Sequence, residues 1–326
     1  MKILIIGAAG MVGRKLTEAL IAGRLSGAID SLTLSDVVEA AIPKGAPAKT
    51  RSTVTDLSDP GAAEKLIADK PDLIFHLAAI VSGEAEADFD KGYRVNFDGT
   101  RALFEAIRQE NLKTRYKPKL VFTSSIAIFG EPFPDAIPDD FFHTPLSSYG
   151  TQKAMGELLL SDYSRRGFFD GIGIRLPTIC VRPGAPNKAA SGFFSGILRE
   201  PLSGKEARLP VGEDTRHWFA SPRSAVNFLL HAANLDTAKL GARRNLTMPG
   251  ISATVGEEIA ALRRAAGDQA VALIKRESDP AVAKLVAGWP RNFDARRATE
   301  LGFTAEKTFD EIIAAHVEDE LGGKIG

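Results

Sequence analysis

The chain has 326 residues, of which 44% are hydrophobic, and this is enough to bury one large core or two domains. Its 41 basic and 41 acidic side chains balance, which gives no electrostatic reason to expect a nucleic acid or an acidic membrane surface as partner. The lone Cys180 cannot form an internal disulfide, no apolar run reaches the roughly 18 residues of a membrane span, and the histidines are scattered. We therefore expect a cytoplasmic protein with no membrane span and no metal site.

The N-terminus predicts a strand, a glycine-rich turn and a helix in succession. Residues 2–6 form a continuous apolar run, and Gly7, Gly10 and Gly13 follow it at three-residue intervals before a helical apolar pattern begins. This order places backbone N–H groups at a helix N-terminus, where a pyrophosphate can bind, and glycine lets the backbone approach it closely. The spacing is not the G-x-G-x-x-G fingerprint, but the strand–turn–helix context predicts a dinucleotide cofactor.

The second predicted strand, residues 31–35, ends at Asp36. An acid at this distance beyond the glycine turn accepts hydrogen bonds from the adenosine ribose, and its charge repels a 2′-phosphate. The pattern therefore favours NAD over NADP. Arg14 is the nearby group that could meet such a phosphate, and we expect it to lie on the helix surface.

Strands and helices continue to alternate along the first half of the chain. Apolar runs at residues 72–77 and 119–123 flank a largely helical stretch at 85–111, and residues 170–176 form a further strand. Alternation of this kind predicts right-handed βαβ units, and hence an α/β fold with a Rossmann-type doubly wound parallel sheet.

Two domains are expected, and the smaller C-terminal one is discontinuous. Capping patterns at Thr254–Glu257 and Thr308–Glu311 begin two of its amphipathic helices. The NAD-binding domain is predicted to comprise residues 1–174 plus about 218–248, and the substrate-binding domain about 175–217 plus 249–326.

Tyr149 and Lys153 lie four residues apart, so they share one face of a helix that Ser147 or Ser148 can cap. Tyrosine titrates near ~10 and is a poor base at neutral pH, but a neighbouring ammonium favours its phenolate. A serine hydroxyl nearby could hold the oxygen of an alcohol while the tyrosine exchanges its proton. The spacing alone could equally be a surface lysine beside a packing tyrosine; with the cofactor signals, it predicts the proton-transfer centre of a redox reaction.

Several short motifs stand together in one order: Gly7-x-x-Gly10-x-x-Gly13, Asp56-Leu57, His76 to Ala79, Asn96 with Gly99-Thr100, Ser124-Ser125 with Phe129-Gly130, and Tyr149-x-x-x-Lys153. In that order they resemble the extended short-chain dehydrogenase/reductases, the group that contains the NAD-dependent sugar-nucleotide epimerases and dehydratases. The resemblance covers essentially the whole chain. It implies an NAD-dependent enzyme. His76 lies within an apolar β-run, so we expect it to be buried and not catalytic.

The resemblance also implies roles for individual residues. It assigns cofactor contacts to Gly7, Gly10, Met11, Val12, Gly13, Asp36, Asp56, Leu57, Leu77, Ala78, Ala79, Asn96, Tyr149, Lys153, Pro177, Thr178 and Ile179. Among these, the glycine turn would hold the pyrophosphate and residues 177–179 would meet the nicotinamide amide. Ser125, Tyr149 and Lys153 would form the catalytic group, and the serine's position ahead of Phe129-Gly130 selects Ser125 over its neighbour.

The later part of the chain departs from the sugar-nucleotide enzymes of this family. They usually carry Asn at the position of Thr178 and a His-Val-x-Asp element after the arginine that matches Arg216, where this chain has His217 to Ala220. The residues that would grip a nucleotide diphosphate are mostly missing, which favours a small substrate. Arg182 and Arg216 remain, and a guanidinium matches a carboxylate with two parallel hydrogen bonds.

We therefore expect NAD-dependent oxidation of a small hydroxy acid, with Tyr149 removing a proton from the hydroxyl that Ser125 holds. The pKa of Tyr149 would be lowered by Lys153 and the nicotinamide cation. Either Arg182 or Arg216, with Ser82 and Asn187, would bind the carboxylate and the other hydroxyls.

Two other functions are compatible with the family resemblance. An epimerase would keep its cofactor and show no net redox change, and a regulatory protein would sense NAD without turnover. In this family the helices around Asn96 and Tyr149 often pack into a four-helix interface, so a homodimer is expected.

Overall fold

The computed structural model describes residues 1–184 and 191–325. The chain folds into two compact units, the first formed by Met1–Ser125, Ser147–Arg175 and Val226–Leu246 and the second by Ile126–Leu146, Leu176–Ala225 and Thr247–Gly326. The second unit thus includes residues 126–146 and 218–225, which the sequence-based division gives to the first domain. The assignment of cofactor and substrate to these units stays a prediction.

The first unit is built around a seven-stranded sheet. Numbered along the whole chain, its strands are β1 (Lys2–Ile6), β2 (Ser31–Asp36), β3 (Thr50–Val54), β4 (Leu73–His76), β5 (Lys119–Ser125), β7 (Asp170–Leu176) and β11 (Asn245–Thr247). Their order in the sheet is β11-β7-β5-β4-β1-β2-β3. Strand β1 runs parallel to β2 on one side and to β4 on the other, so the strand order reverses beside β1. In doubly wound sheets, ligands bind at the carboxyl ends of the strands where the order reverses. The predicted Rossmann-type sheet is confirmed.

The helices of the first unit are α1 (Met11–Ile21), α2 (Ala62–Ile67), α3 (Ser82–Ala87), α4 (Phe89–Gly92), α5 (Gly99–Thr114), α6 (Ser148–Arg165) and residues 226–234 of α8 (Pro222–Asn234). A π-helical stretch, Tyr93–Asp98, joins α4 to α5. The stretch that the sequence predicts as one long helix is therefore segmented. The Asp88 side chain accepts a hydrogen bond from the Lys91 N–H and so caps a new start there.

The second unit contains a three-stranded sheet of order β12-β10-β8 and two short strand pairs, β13 with β9 and β14 with β6. Its strands are β6 (Ile137–Pro138), β8 (Thr178–Ile179), β9 (Ala207–Leu209), β10 (Arg216–Ala220), β12 (Ile251–Thr254), β13 (Ile274–Arg276) and β14 (Phe293–Asp294). Its helices are α7 (Gly192–Leu202), α9 (Val255–Ala272), α10 (Pro280–Ala287), α11 (Arg296–Glu300) and α12 (Phe309–Glu320).

Two predicted helix starts in this unit are confirmed. Thr254 and Glu257 form a reciprocal capping box at α9, and the Thr308 side chain accepts from the Glu311 N–H at α12. Across residues 1–184 and 191–325, no helix combines the length and the apolar character needed to cross a membrane.

Candidate active site

The glycine turn after β1 is packed tightly on one side and open on the other. Gly7 has φ +94°, and a Cβ there would lie 2.6 Å from the Ala78 nitrogen. A Cβ on Gly13 would lie 2.2 Å from the Gly7 carbonyl oxygen, whereas a Cβ on Gly10 would meet only that oxygen, at 3.4 Å. The fold therefore requires the first and third glycines for its own packing, and the second glycine borders open space.

That open space fits a phosphate group. Gly10 is the N-cap of α1, and no side chain caps this helix end. The backbone N–H groups of the first turn, which belong to Met11, Val12 and Gly13, have no i−4 partner within a helix and carry the positive end of its dipole. Backbone donors at a helix N-terminus are what a dinucleotide pyrophosphate needs, so these residues fit the NAD contact that the sequence predicts.

Asp36 lies beside the glycine turn. Its Oδ2 accepts a hydrogen bond from the Ala9 N–H at 2.9 Å, and its Oδ1 accepts from the Val37 N–H at 2.7 Å. Each carboxylate oxygen has a further lone pair, because an ionised carboxylate offers about four acceptor sites. The carboxylate is thus held in place with capacity left for ribose hydroxyls.

A cavity of about 740 Å³ lies in the same unit, at the ends of β2 and β3. Its lining includes Val37, Val54, Asp56 and Leu66. The Asp56 Oδ1 accepts from the Ser58 N–H and hydroxyl at 2.9 and 2.6 Å, so Asp56 is anchored in its wall. The lining is mixed, because Arg51, Asp59 and Lys65 also border the cavity. The apolar side chains and the anchored Asp56 carboxylate could meet an adenine, and the contact predicted for Asp56 stays a prediction. Leu57, also predicted there, is buried and does not line this cavity.

The predicted catalytic group forms within the first unit. The Ser147 side chain accepts from the Gly150 N–H at 3.1 Å and starts α6, which carries Tyr149 and Lys153. The Ser125 hydroxyl, at the end of β5, is hydrogen-bonded to the Tyr149 hydroxyl. The Lys153 Nζ donates to the Thr123 carbonyl oxygen at 2.9 Å and lies 5.8 Å from the Tyr149 ring centre. The structure thus brings all three predicted residues together.

The pKa of Tyr149 differs from the expectation. Burial raises it to about 12, against the smaller opposing effect of the Ser125 hydrogen bond. Burial also lowers the pKa of Lys153 to about 8, against the opposing charge of Glu157. In the chain by itself, loss of phenolate hydration therefore governs the tyrosine pKa. The lowering expected from Lys153 together with the nicotinamide cation stays a prediction.

Glu157 continues the face of α6 that carries Tyr149 and Lys153, and sequence reasoning missed it. Its carboxylate accepts from the Arg175 Nε at 3.0 and 3.2 Å and from an Arg175 terminal nitrogen at 2.8 Å. Both side chains are buried, with 0% and 5% exposure. Glu157 lies four residues after Lys153, and that spacing was the signal available in the sequence. Its partner could not be read from the sequence because Arg175 lies on β7.

The segment after β4 is hydrogen-bonded to the end of β1 and to the side chain of Asn96. The N–H groups of Leu77 and Ala78 both donate to the Ile6 carbonyl oxygen, at 2.8 and 2.9 Å. Asn96 binds the Ile80 peptide and is only 2% exposed. A role of Asn96 in the cofactor site stays a prediction, and these contacts favour an indirect one.

His76 is buried, and its Nε2 lies 2.8 Å from the Thr100 hydroxyl. Burial lowers the pKa of His76 to about 3, and the charge of Lys153 adds to the effect.

In the second unit, Pro177 is buried and Thr178 and Ile179 form β8, parallel to β10. The Thr178 hydroxyl lies 2.7 Å from the Nε2 of His217, and burial lowers the pKa of that histidine to about 4. His217 is therefore neutral at pH 7, and its contact with Thr178 was not predicted. The role of residues 177–179 beside the nicotinamide stays a prediction.

The two candidate arginines differ in what they contact. Arg216 is exposed, donates to the Ser252 carbonyl oxygen at 2.9 Å and pairs with Glu257 at 3.3 Å. Arg182 is half-buried, its terminal nitrogen donates to the Ser191 hydroxyl at 3.1 Å, and burial lowers its pKa. Among the residues that the structure describes, Arg182 forms no ion pair. Ser82 begins α3 and is half-buried, and Asn187 lies outside the described residues.

Within residues 1–184 and 191–325, no three His, Cys, Asp or Glu side chains gather as the ligands of a metal would. A doubly wound sheet, an open glycine turn where its strand order reverses and a Ser–Tyr–Lys group with a buried lysine define a dinucleotide-dependent enzyme of the Rossmann type. Residues 3–238 match the model of the NAD dependent epimerase/dehydratase family, and the chain belongs to that family. The family resemblance noted in the sequence is confirmed.

Similar proteins carry two kinds of name. The chain is 48% identical over 326 residues to a D-erythronate dehydrogenase of Cupriavidus necator, with 98% of each chain covered. It is 43% identical over 321 residues to a D-erythronate dehydrogenase of Haemophilus influenzae, covering 98% of this chain and 100% of the relative. A solved structure described as a nucleoside-diphosphate-sugar epimerase from Agrobacterium tumefaciens is 64% identical, with a TM-score of 0.97 and coverage of 100% and 96%.

Proposed function

We propose that the chain is an NAD-dependent dehydrogenase that oxidises D-erythronate, a four-carbon sugar acid, to 2-dehydro-D-erythronate. The observation that carries the proposal is the hydrogen-bonded Ser125–Tyr149 pair beside the buried Lys153, in a chain that matches two D-erythronate dehydrogenases along its whole length. The expectation of a small hydroxy acid, drawn from the absence of the residues that would bind a nucleotide diphosphate, points the same way.

The chain's own residues supply the proton chemistry. NAD, when bound, accepts the hydride that leaves the carbon of the secondary alcohol. The Ser125 hydroxyl holds the substrate oxygen next to the Tyr149 hydroxyl, and Tyr149 takes the hydroxyl proton. Since burial raises the pKa of Tyr149 to about 12, its phenolate needs a positive field near neutral pH. The Lys153 ammonium supplies that field from within the chain.

Arg182 is our candidate for the substrate carboxylate. Arg216 is exposed and already paired with Glu257, so a carboxylate would have to compete with that partner and with water. Arg182 is half-buried with a hydroxyl as its described side-chain partner, so an incoming carboxylate would compensate a charge that is poorly hydrated. Arg182→Met should raise the KM for the hydroxy acid by more than tenfold, whereas Arg216→Met, the matched control, should change it less than about threefold.

A second candidate function is epimerisation of a nucleoside-diphosphate sugar, which the description of the Agrobacterium structure favours. An epimerase keeps its cofactor, so no NADH accumulates. NADH formation should be followed over four- and five-carbon sugar acids, with L-threonine and UDP-sugars included. We expect NADH with D-erythronate and none with UDP-sugars. Epimerised UDP-sugar without NADH would establish the second candidate and exclude the first.

The role of Tyr149 has a separate test. Tyr149→Phe removes the proton acceptor and should lower kcat by about 100-fold or more, while NAD binding measured by isothermal titration calorimetry stays near wild type. Turnover close to wild type in this variant would exclude the assignment of Tyr149 as the base.

We also propose a homodimer formed through α5 and α6. Leu112 on α5 and Leu158 on α6 are 56% and 63% exposed, so each of the two helices offers a large apolar side chain to a partner. Sedimentation equilibrium gives the mass in solution directly.

A further inference from the structure

Gln152 lies inside the Tyr149-x-x-x-Lys153 motif, three residues after Tyr149 and directly before Lys153. It is fully buried, with 0% exposure. Its Oε1 accepts a hydrogen bond from the Asn96 Nδ2 at 2.8 Å. A long polar side chain that is buried next to catalytic residues needs a reason, because its desolvation is unfavourable unless its hydrogen bonds are made.

Asn96, which binds Gln152, also binds the backbone of Ile80. Its Oδ1 accepts from the Ile80 N–H at 2.8 Å, and its Nδ2 donates to the Ile80 carbonyl oxygen at 3.2 Å. A primary amide has two N–H donors, and here one binds Ile80 and the other binds Gln152. Asn96 lies in the π-helical stretch Tyr93–Asp98, a local widening of the helix that is frequent at functional sites.

The surroundings hold Gln152 in one position. A Cβ on Gly92 would lie 2.8 Å from the Gln152 Nε2 and 3.2 Å from the Ala85 Cβ. The glycine of α4 therefore leaves just enough room for a glutamine amide, and a neighbouring side chain of any size would displace it. Within the described residues, the Gln152 Nε2 has no hydrogen-bond partner, so the Oε1 is the atom through which Gln152 acts.

Ile80 lies between two parts of the proposed site. It follows Leu77–Ala79, which are predicted to line the cofactor, and it precedes Ser82, the predicted substrate contact at the start of α3. Gln152 and Asn96 thus connect the helix that carries the base to the segment that carries Ser82. The contacts from Gln152 to Asn96 and from Asn96 to Ile80 are both made by side chains. The backbone of the segment is hydrogen-bonded to β1 only as far as Ala78.

We propose that Gln152 is a positioning residue that, through Asn96, sets the distance of the segment Ile80–Ser82 from Tyr149 and so determines the affinity for the hydroxy acid. The effect on substrate rests on the proposed function. The effect on the Ile80 peptide does not, since it is a property of the chain alone.

The test compares two replacements of Gln152 of similar size. Gln152→Met removes the acceptor, and should raise the KM for D-erythronate about tenfold with kcat within about threefold of wild type. The pH at which kcat/KM is half-maximal should not move, because Ser125, Tyr149 and Lys153 keep their contacts. Gln152→Glu keeps an oxygen for the Asn96 donor and should restore the KM to within about threefold of wild type. Gln109→Met, on the exposed side of α5, is the matched control and should behave as wild type.

Hydrogen–deuterium exchange gives a readout that needs no activity. Because the Ile80 N–H is donated to Asn96, Gln152→Met should speed exchange at Ile80 about tenfold, and Gln152→Glu should not. Gly92→Ala leaves Gln152 and Asn96 chemically intact but displaces the amide, so it should reproduce the faster exchange, and it serves in place of Gln152→Met if that variant does not fold.

The outcomes separate cleanly. Unchanged exchange at Ile80 in both Gln152→Met and Gly92→Ala overturns the positioning role, and so does Gln152→Glu behaving like Gln152→Met. Faster exchange with an unchanged KM overturns the link to substrate. If the wild type oxidises no hydroxy acid, the proposed function fails, while the exchange data still decide whether Gln152 positions the segment.

Discussion

Replacing Lys153 by Met should remove activity and at the same time stabilise the protein near neutral pH. Lys153 is 2% exposed, and burial lowers its pKa from 10.5 to about 8. Below pH 8 the lysine is charged in both the folded and the unfolded chain, so the folded state bears the whole cost of burying the ammonium. Above pH 10.5 it is neutral in both states and that cost is absent. Between these values the cost declines as pH rises.

The magnitude follows from the two pKa values. At about 1.4 kcal/mol per pH unit, burying the charge costs about 3 kcal/mol at pH 7 and about 1.4 kcal/mol at pH 9.5. Loss of the hydrogen bond to Thr123 offsets about 1–2 kcal/mol of the gain at either pH. Lys153→Met should therefore be about 1–2 kcal/mol more stable than wild type at pH 7, and this advantage should fall by about 2 kcal/mol at pH 9.5.

Urea unfolding followed by far-ultraviolet circular dichroism measures both values. The two tryptophans, Trp218 and Trp289, lie in the other unit, so their fluorescence would report on the wrong part of the chain. Lys113→Met, an exposed lysine on α5, controls for the substitution itself. A difference between Lys153→Met and wild type that does not change with pH, or that grows with pH, would refute the reasoning.

Three further predictions concern the glycine turn, the buried ion pair and the dimer interface. Gly10→Ala should weaken NAD binding more than tenfold with a melting temperature within a few degrees of wild type, whereas Gly13→Ala should destabilise the fold, because its Cβ would lie 2.2 Å from a backbone carbonyl; equal losses of stability would contradict this. Arg175→Met should cost about 3–5 kcal/mol of unfolding free energy, because the buried Glu157 carboxylate loses its guanidinium. Replacing both residues by apolar ones should recover most of that loss. Leu158→Arg should convert a dimer to a monomer in sedimentation equilibrium, and an unchanged mass would place the interface elsewhere.

Much of the local structure of the site was predictable because it follows from short-range sequence patterns. Gly7, Gly10 and Gly13 depend only on a strand, a turn and a helix being consecutive, and the structure forms all three at residues 2–21. The four-residue spacing of Tyr149 and Lys153 places them on one helical face in any fold that keeps the helix. Helix starts at Thr254 and Thr308 are similarly local, since a capping hydrogen bond spans three residues.

What could not be predicted depends on contacts between residues far apart in the chain. Arg175 reaches Glu157 only because β7 lies against α6, and Asn96 reaches Gln152 across a separation of 56 residues. The lowered pKa of Lys153 and the raised pKa of Tyr149 arise from burial, which the sequence spacing does not contain. The segmentation of the long helix into α3, α4, a π-helical stretch and α5 was not predicted either.

By itself, the sequence determined the class of cofactor and the doubly wound sheet, because short-range spacing and alternating apolar runs encode them. It also predicted Ser125, Tyr149 and Lys153 as the catalytic group, and that assignment stays a prediction. Only the tertiary structure decided the electrostatic state of the catalytic group and distinguished Arg182, half-buried and without an ion pair among the described residues, from Arg216, exposed and paired with Glu257. Charge, burial and hydrogen-bond satisfaction are properties of the packed chain, in which each group's neighbours come from distant segments.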